Sequence, residues 1–415
     1  MKRTGNLWAE IVTWENLVLA ARKAQRGKRD RAAVCRFNFS LEPELLRLQR
    51  ELNDGTYRPG AFTSHWITVP KPRLISAAPY RDRVVHHAIM NVLEPVLEKR
   101  FHPHSFACRA GKGTHAAADR LQWLMRSNRF ALQCDVRKFF PSIDHDTLKQ
   151  VFRRSIKDRR LLELLDLIVD CSNEQERVTE WFGNDCLFDP LERRRGLPIG
   201  NLTSQWFANW YLNGFDHYVS SGLGIGAYVR YCDDFVLLSN DRSRLERARD
   251  EVKRYLGDLR LRLHEGKTAV VPTRCGMTFV GYRIYPTHRL VRKANIRRFG
   301  RRLRWMKSAY ANGKLPWAGV VKRLDSWMAH ARQANSERLI RRLSRTWRFS
   351  KAPAPERVAA EEACPAGRFL EQQPEELPLC QPQQERAGQP EQQHRFPCCP
   401  ALVIPESSRL RTARA

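Results

Sequence analysis

Two adjacent carboxylates between two apolar runs constrain the fold of this chain more than any other sequence feature. They stand in the run Tyr231-Cys232-Asp233-Asp234. The flanking residues, 225–230 and 235–238, are rich in β-branched and aromatic side chains, which favours two strands joined by a short turn. Taken alone, the pattern predicts an ordinary hairpin with a hydrated acidic tip, because Asp is common in such turns.

A third carboxylate has a similar setting earlier in the chain. Asp135 follows a short apolar run at 130–134, and Phe139 and Phe140 come soon after it. Strand ends that bring Asp side chains to one point form an oxygen-rich site, and Mg²⁺ is usually held by one or two carboxylates together with substrate phosphates. Two such ions can clamp the attacking and leaving oxygens of a phosphoryl transfer. The three carboxylates together therefore indicate metal-dependent chemistry at phosphate.

These motifs resemble those of the reverse transcriptases. The run at 231–234 is similar to their Tyr-x-Asp-Asp box, and Asp135, within Asp-Val-Arg-Lys-Phe-Phe-Pro-Ser-Ile-Asp, is similar to the first carboxylate motif of the same palm. The match extends over residues 57 to 285 in the family's order. The resemblance implies an α+β right-hand polymerase, with fingers, a palm whose antiparallel sheet is flanked by helices, and a helical thumb.

The expected domains follow from the resemblance and from changes in composition along the chain. We expect an N-terminal helical and basic segment at 1–56, fingers and palm at 57–285, and a basic helical thumb at 286–350. Between 289 and 350, eighteen Lys and Arg residues stand against two acidic residues. Residues 351–415 are rich in Pro, Gln and Glu, a composition typical of a disordered tail.

The overall charge points to a polyanionic partner. The formal net charge is +29, and such a basic chain most often binds nucleic acid. The eleven cysteines lack the paired spacing of a zinc site, so reduced thiols are the simplest interpretation. No apolar run approaches the roughly 18 to 20 residues of a membrane span, and the first residues lack the apolar core of a secretory signal. We therefore expect a cytoplasmic protein without a membrane partner, and the resemblance implies that it is bacterial or phage-encoded.

The resemblance also implies the reaction and its cofactor. The primer 3′-hydroxyl would attack the α-phosphorus of a dNTP, and pyrophosphate would leave. The implied catalytic residues are Asp135, Asp233 and Asp234. Asp135 and Asp233 would hold two Mg²⁺ ions, with Mn²⁺ as a substitute, while the backbone carbonyl of Val136 adds a ligand and Asp234 ligates or tunes the site. The implied partners are an RNA template, a DNA or RNA primer, and dNTPs.

Further residues are candidates for the nucleotide site by the same resemblance. Lys71 and Arg73 lie in a segment similar to the fingers hairpin over the incoming nucleotide, although surface charges on an exposed hairpin give the same pattern. Phe140 matches the position whose ring excludes a ribose 2′-hydroxyl, and core packing is its alternative. Lys267 resembles the proposed proton donor to pyrophosphate, and a surface lysine is its alternative. Arg109, in a Gly-bearing loop, is expected near template phosphate.

The residue at position 199 indicates a narrower group within the family that the chain resembles. Most reverse transcriptases carry Gln there, whereas the run Ile-Gly-Asn-Leu-Thr-Ser-Gln, which ends at Gln205, is similar to the enzymes of diversity-generating retroelements. Ile199 and Gln205 are thus nucleotide-site candidates. This resemblance implies errors at template adenines and a small basic accessory protein. Two alternatives stay open: a group II intron-like maturase or phage-defence reverse transcriptase, and an inactive RNA-binding protein, which the presence of all three Asp residues disfavours.

Overall fold

The computed structural model describes residues 2–68, 72–173, 178–183 and 185–351. Lys71 and residues 352–415, which make up nearly all of the expected tail, lie outside the described residues. The chain divides into two compact units. The first comprises Met1–Arg297 and Met328–Ile340, and the second comprises Arg298–Trp327 and the chain from Arg341 onward.

Four helices open the first unit. They are α1 Trp8–Ile11, α2 Trp14–Ala24, α3 Ala32–Phe39 and α4 Leu41–Asp54. The apolar spacing predicts them well, because the buried side chains of α2 and α4 recur every three or four residues. Gly55 ends α4 in the left-handed conformation (φ 68°), which glycine adopts without a steric penalty.

A hairpin and two long helices follow. Strands β1 Thr63–Ile67 and β2 Arg73–Ala77 pair antiparallel, and helices α5 Tyr80–Glu98 and α6 Thr114–Ser127 come next. Helix α5 packs against α2, and it buries Val85, Ile89 and Leu93 on one face, as its periodicity predicts.

A four-stranded antiparallel sheet lies at the centre of the first unit. Its strands are β3 Phe130–Asp135, β4 Tyr228–Tyr231, β5 Asp234–Ser239 and β6 Ala269–Pro272, in the order β4-β5-β3-β6. The helices between β3 and β4 are α7 Phe139–Ser142, α8 His145–Ser155, α9 Arg159–Asp170, α10 Asp189–Glu192, α11 Leu202–Tyr211 and α12 Asn213–His217, and α13 Arg242–Asp258 follows β5. Mixed helices and antiparallel strands agree with the expected α+β class.

The apolar spacing of the sequence predicts three local elements that the structure corrects. It predicts a helix from 145 to about 170, which is broken into α8 and α9 at Asp158, the cap of α9. It predicts a helix over 206–219, but helix α11 begins earlier, at Leu202, and α12 passes into a π-helical turn at Tyr218–Gly222. It predicts a strand at 261–264, where the structure has an isolated bridge between Val136 and Leu263.

A small second sheet completes the strands of the first unit. It comprises β7 Met277–Phe279, β8 Tyr282–Ile284 and β9 Arg289–Val291, all antiparallel. The β7–β8 pair forms a hairpin around residues 278–284. Its turn holds Val280 at φ 41°, an uncommon conformation for a β-branched residue.

Three basic helices end the described chain: α14 Lys293–Ala311, α15 Trp317–Arg332 and α16 Glu337–Ser344. Within the second unit, Phe299 stacks on Trp327 with ring centroids 4.0 Å apart, and Trp347 packs against the same cluster. Trp305 and Trp317 are about half exposed. The tryptophans of these helices therefore divide between core and surface, although the usual burial of such residues favours the core for all of them. None of the helices in the described residues is long and apolar enough to cross a lipid bilayer.

Asp158 should be more important for stability than an ordinary helix cap. One carboxylate oxygen accepts from the Leu7 and Trp8 amides at 3.1 and 2.8 Å, and the other caps α9 through the Leu161 amide. We expect Asp158→Ala to lower the free energy of unfolding by about 2–4 kcal/mol, because three backbone donors lose their acceptor.

The matched control is Asp241→Ala, because Asp241 caps only its own helix through the Ser243 amide. That change should cost about 1 kcal/mol. Urea denaturation followed by circular dichroism measures both, and equal losses would contradict the role given to Asp158.

Candidate active site

The acidic turn is a two-residue connection between neighbouring strands of the central sheet. Tyr231, the last residue of β4, pairs with Asp234, the first residue of β5, so Cys232 and Asp233 alone form the turn. Cys232 has φ 58°, as the first position of such tight hairpins requires. A non-glycine residue in this conformation carries backbone strain of about 1–3 kcal/mol, which the surroundings must offset.

Strand pairing brings the third carboxylate to the same place. Asp135, at the end of β3, is the register partner of Asp234 on β5. The amide of Val136 then donates to the carbonyl of Asp233 at 3.2 Å, and the carbonyl of Asp135 accepts from the His264 amide at 2.7 Å. The backbone thus gathers Asp135, Asp233 and Asp234 at one edge of the sheet, as the sequence predicted.

These carboxylates are crowded and poorly hydrated. Burial, the neighbouring charge of Asp233 and a hydrogen bond with Asp135 raise the pKa of Asp234 to about 8. Burial also raises the pKa of Asp233, and the charge of Asp135 adds to this shift. Lys267 forms an ion pair with Asp135 and favours the charged forms of both other carboxylates. The site is therefore short of positive charge.

The donor chemistry of the site fits Mg²⁺. Carboxylate and carbonyl oxygens are the hard ligands that Mg²⁺ prefers, and Asp135, Asp233 and the carbonyl of Val136 are the groups that would supply them. Among the described residues, no group of three or more His, Cys, Asp or Glu side chains is arranged to hold an ion. Protein sites for Mg²⁺ usually use one or two carboxylates and take their remaining ligands from water and substrate phosphates.

The β1–β2 hairpin contributes a cation to this region. Arg73 is the first residue of β2 and is exposed, and its charge lowers the pKa of Asp233, so the two groups lie within electrostatic range. The other predicted hairpin cation, Lys71, lies outside the described residues.

Phe140 is the second residue of the short helix α7, which follows β3 in the chain. Its ring is half-buried and meets the Phe139 ring edge-on, with centroids 5.6 Å apart. The carbonyl of Phe140 accepts from the Leu197 amide at 2.9 Å, which joins α7 to the Gly-Leu-Pro-Ile-Gly loop. Half-burial leaves part of the ring surface exposed for contact with a ligand.

The loop around Ile199 is fastened to the β1–β2 hairpin. Ile199 is half-buried, and its carbonyl accepts from the Ser76 amide at 2.9 Å. The buried side chain of Asn201 accepts from the Ala78 amide at 3.1 Å and donates to the Ser76 carbonyl at 2.9 Å. Gln205 is exposed on α11, about one helical turn beyond Asn201.

One predicted phosphate contact was wrong. Arg109 is buried, and it donates to both oxygens of Glu98 and to the carbonyls of His102 and Ser105. All of these partners are protein groups, so Arg109 shapes its own loop. The predicted loop motif was real, but sequence alone could not show which way the guanidinium points.

Two residues with central positions were missed. Asn201 stands in a run that the resemblance had already singled out, and its amide, with donors and an acceptor, was a usable signal. Arg230 is a charged residue inside the apolar run that precedes the acidic turn, and it is fully buried. A lone charge in a strand that reads as core was the signal, because such a charge needs a buried partner.

Comparison with known proteins identifies the family of this site. Residues 67–284 match the family described as reverse transcriptase (RNA-dependent DNA polymerase). The chain belongs to the reverse transcriptase family. This match covers more than half of the chain and includes Asp135, Asp233 and Asp234, and it confirms the expected polymerase fold class.

Relatives of this reverse transcriptase include bacterial and intron-encoded proteins. Protein YkfC of Escherichia coli is 26% identical over 295 residues, 61% of this chain and 72% of YkfC. The group II intron-encoded protein LtrA of Lactococcus lactis is 24% identical over 181 residues, 43% of this chain and 28% of LtrA. Nuclear intron maturase 1 of Arabidopsis thaliana is 29% identical over 108 residues, 26% of this chain and 15% of the maturase. The match therefore spans only a small part of the two intron-related proteins.

Solved structures give a weaker likeness. Apo telomerase from Candida tropicalis, truncated from its C-terminal domain, has a TM-score of 0.40 and 14% identity. The alignment covers 56% of this chain and 55% of the telomerase.

Asn201→Ala tests whether the Asn201 hydrogen bonds hold the Ile199 loop against the β1–β2 hairpin. We expect Asn201→Ala to lower the free energy of unfolding by about 2–3 kcal/mol, because it leaves a buried amide and a buried carbonyl without partners. Asn240→Ala is the control, since Asn240 also accepts from one amide and donates to one carbonyl but is exposed. It should cost below about 1 kcal/mol. Chemical denaturation measures both changes, and a loss for Asn201→Ala no larger than the control's would contradict the fastening.

Proposed function

We propose that this chain is an RNA-directed DNA polymerase that copies an RNA template into cDNA by nucleotidyl transfer. The observation that carries the proposal is the register pairing of Asp135 with Asp234 beside the Asp233 turn. In a chain of the reverse transcriptase family, this pairing presents three carboxylates where a primer end and a dNTP would meet. The substrates are then the template, a DNA or RNA primer and dNTPs.

Each residue has a proposed role in that reaction. Asp135, Asp233 and the carbonyl of Val136 hold the metal ions, and Asp234 tunes their charge. When bound, two Mg²⁺ ions activate the primer hydroxyl and offset charge on the leaving pyrophosphate. The ammonium of Lys267, already beside Asp135, is the proposed proton donor to pyrophosphate. Arg73 binds the triphosphate, whose charge rises in the transition state.

The domain assignments support the same function. We infer that β1–β2 belongs to the fingers, the central sheet to the palm, and helices α14–α16 to a thumb. The eighteen cationic residues between 289 and 350 provide the electrostatic attraction to phosphate that nucleic-acid binding needs.

Asp233→Asn tests the central assignment. The change removes one metal-binding charge but keeps the shape of the side chain, so it should abolish primer extension in Mg²⁺ while RNA binding stays nearly unchanged. Asp250→Asn, at an exposed position on α13, is the control and should extend primers like the parent. Extension by Asp233→Asn at the parent rate would overturn the assignment.

Phe140→Ala tests the proposed role of the Phe140 ring in excluding a ribose 2′-hydroxyl. Removal of the ring should admit ribonucleotides, because nothing then clashes with the 2′-hydroxyl. Incorporation of rNTPs relative to dNTPs is the measurement. Phe139→Ala, which removes the adjacent buried ring, should destabilise the protein by about 3–5 kcal/mol without changing this ratio. An unchanged ratio in Phe140→Ala would leave Phe140 as a packing residue only.

We further propose that the enzyme belongs to a diversity-generating retroelement, makes errors at template adenines and acts with a small basic accessory protein in the cytoplasm of its host. The run from Ile199 to Gln205 supports this. Most relatives carry Gln at the position of Ile199, and an apolar side chain cannot make the hydrogen bonds of that Gln. The likeness to the intron-encoded protein LtrA favours a second candidate, an intron-associated reverse transcriptase.

The error frequencies of the parent and of Ile199→Gln at template adenines distinguish these two candidates. One recovered hydrogen bond improves nucleotide discrimination by roughly 1 kcal/mol, which is several-fold in error rate. Sequencing of cDNA made on one RNA template should show frequent adenine errors in the parent and several-fold fewer in Ile199→Gln. Leu202→Gln, which places the same amide at another half-buried position, should match the parent. Low errors at every template base in the parent would favour the intron-associated enzyme.

A further inference from the structure

Behind the acidic turn lies a buried guanidinium whose five N–H donors all have acceptors. Arg230 has no exposed surface. Nε and Nη2 each donate to one oxygen of Asp216 at 2.6 Å. Nη1 donates to the side-chain oxygen of Asn209 at 3.2 Å and to the carbonyl of Cys232 at 3.0 Å. The second Nη2 bond goes to the hydroxyl of Ser105 at 3.0 Å.

One of these five bonds reaches the acidic turn itself. The carbonyl of Cys232 belongs to the peptide that leads into Asp233, so its orientation helps to fix where the Asp233 carboxylate points. Cys232 is also the residue held at φ 58°. A strained backbone conformation persists only where its surroundings determine it, and the bond from Arg230 is such a determinant.

The other four bonds fix the guanidinium in place. Asp216 is fully buried, and it also accepts from the hydroxyl of Tyr228 at 2.7 Å. Burial lowers the pKa of Arg230, but the charge and hydrogen bonds of Asp216, together with the neighbouring Tyr228 and Cys232, raise that pKa by more, so Arg230 stays protonated. Asn209 is held in turn by a bond from its amide to the carbonyl of Ala107 at 2.7 Å. The planar guanidinium of Arg230 therefore has one fixed orientation.

Packing alone does not explain this arrangement. A buried ion pair costs desolvation free energy, and apolar residues of similar volume often give equal or greater stability. What apolar residues cannot supply is a rigid donor aimed at one backbone carbonyl of the turn.

We propose that Arg230 is a positioning residue of the polymerase, which acts through the Cys232 carbonyl to hold the Asp233 carboxylate in its metal-binding orientation. The proposal rests on the function proposed above. Arg230 itself contacts neither substrate nor the reacting atoms. Asp216 and Asn209 serve to aim it.

Arg230→Lys is the informative variant. Lysine keeps the buried positive charge beside Asp216, but its single ammonium cannot reproduce the planar fork that spans Asp216 and Cys232. Residues that orient metal-binding groups typically contribute 10- to 100-fold to activity or metal affinity. We therefore expect kcat for primer extension to fall about 10- to 100-fold and the half-saturating Mg²⁺ concentration to rise, while KM for dNTP stays within about threefold.

Two controls separate positioning from loss of a buried arginine. Arg193→Lys alters another arginine whose side chain is largely buried, and which pairs with the buried side chain of Asp185 rather than with the turn. It should lower thermal stability as Arg230→Lys does, but its kcat and its Mg²⁺ dependence should equal those of the parent. Ser105→Ala removes one of the four bonds that fix the guanidinium but leaves the bond to the turn, so kcat should fall less than in Arg230→Lys.

Binding of Mn²⁺ alone gives a readout independent of activity. Titration followed by electron paramagnetic resonance should show weaker Mn²⁺ binding in Arg230→Lys than in the parent and Arg193→Lys. Parent-like kcat, Mg²⁺ dependence and Mn²⁺ binding in Arg230→Lys would overturn the inference, as would equal losses in Arg193→Lys. A parent without extension activity would instead overturn the proposed function, and this inference with it.

Discussion

The register between β3 and β5 is the constraint on which the candidate active site depends. Asp135 faces Asp234 because the antiparallel pairing runs from Phe130 opposite Ser239 to this last pair. A slip of one residue would turn every side chain of a strand to the other face of the sheet. Consecutive apolar side chains of both strands are buried, so a slip would also disrupt the packing on both faces of the sheet. Burial of the core and assembly of the carboxylates are therefore enforced by the same pairing.

The function of the site conflicts with its stability. Three carboxylates at one sheet edge repel one another, and burial adds to the cost, as the raised pKa of Asp234 shows. Lys267 offsets part of this charge, and Arg73 contributes from the hairpin. The strained turn at Cys232 adds a further cost that the buried Arg230 network counters. Such local conflicts are expected at functional sites, where chemistry rather than stability decides the residues.

The sequence was most informative where a pattern has one physical meaning. Apolar runs flanking Asp135 and the acidic turn predicted the central strands, and motif order predicted the polymerase class. Prediction from the sequence failed where tertiary contacts determine the local structure. Asp158 breaks a predicted helix because it also accepts from the distant Leu7 and Trp8 amides. Arg109 looks like a phosphate contact until its buried partners are known, and Arg230 gives no local sign that Asp216 lies beside it.

Anomalous diffraction from crystals soaked with Mn²⁺, in the presence of a template, a primer and a non-hydrolysable dNTP analogue, tests the central claim most directly. The account predicts anomalous peaks within coordination distance of the Asp135 and Asp233 carboxylates, at the sheet edge where β3 and β5 pair. Peaks bound elsewhere, with these carboxylates still engaged only by protein groups, would contradict it.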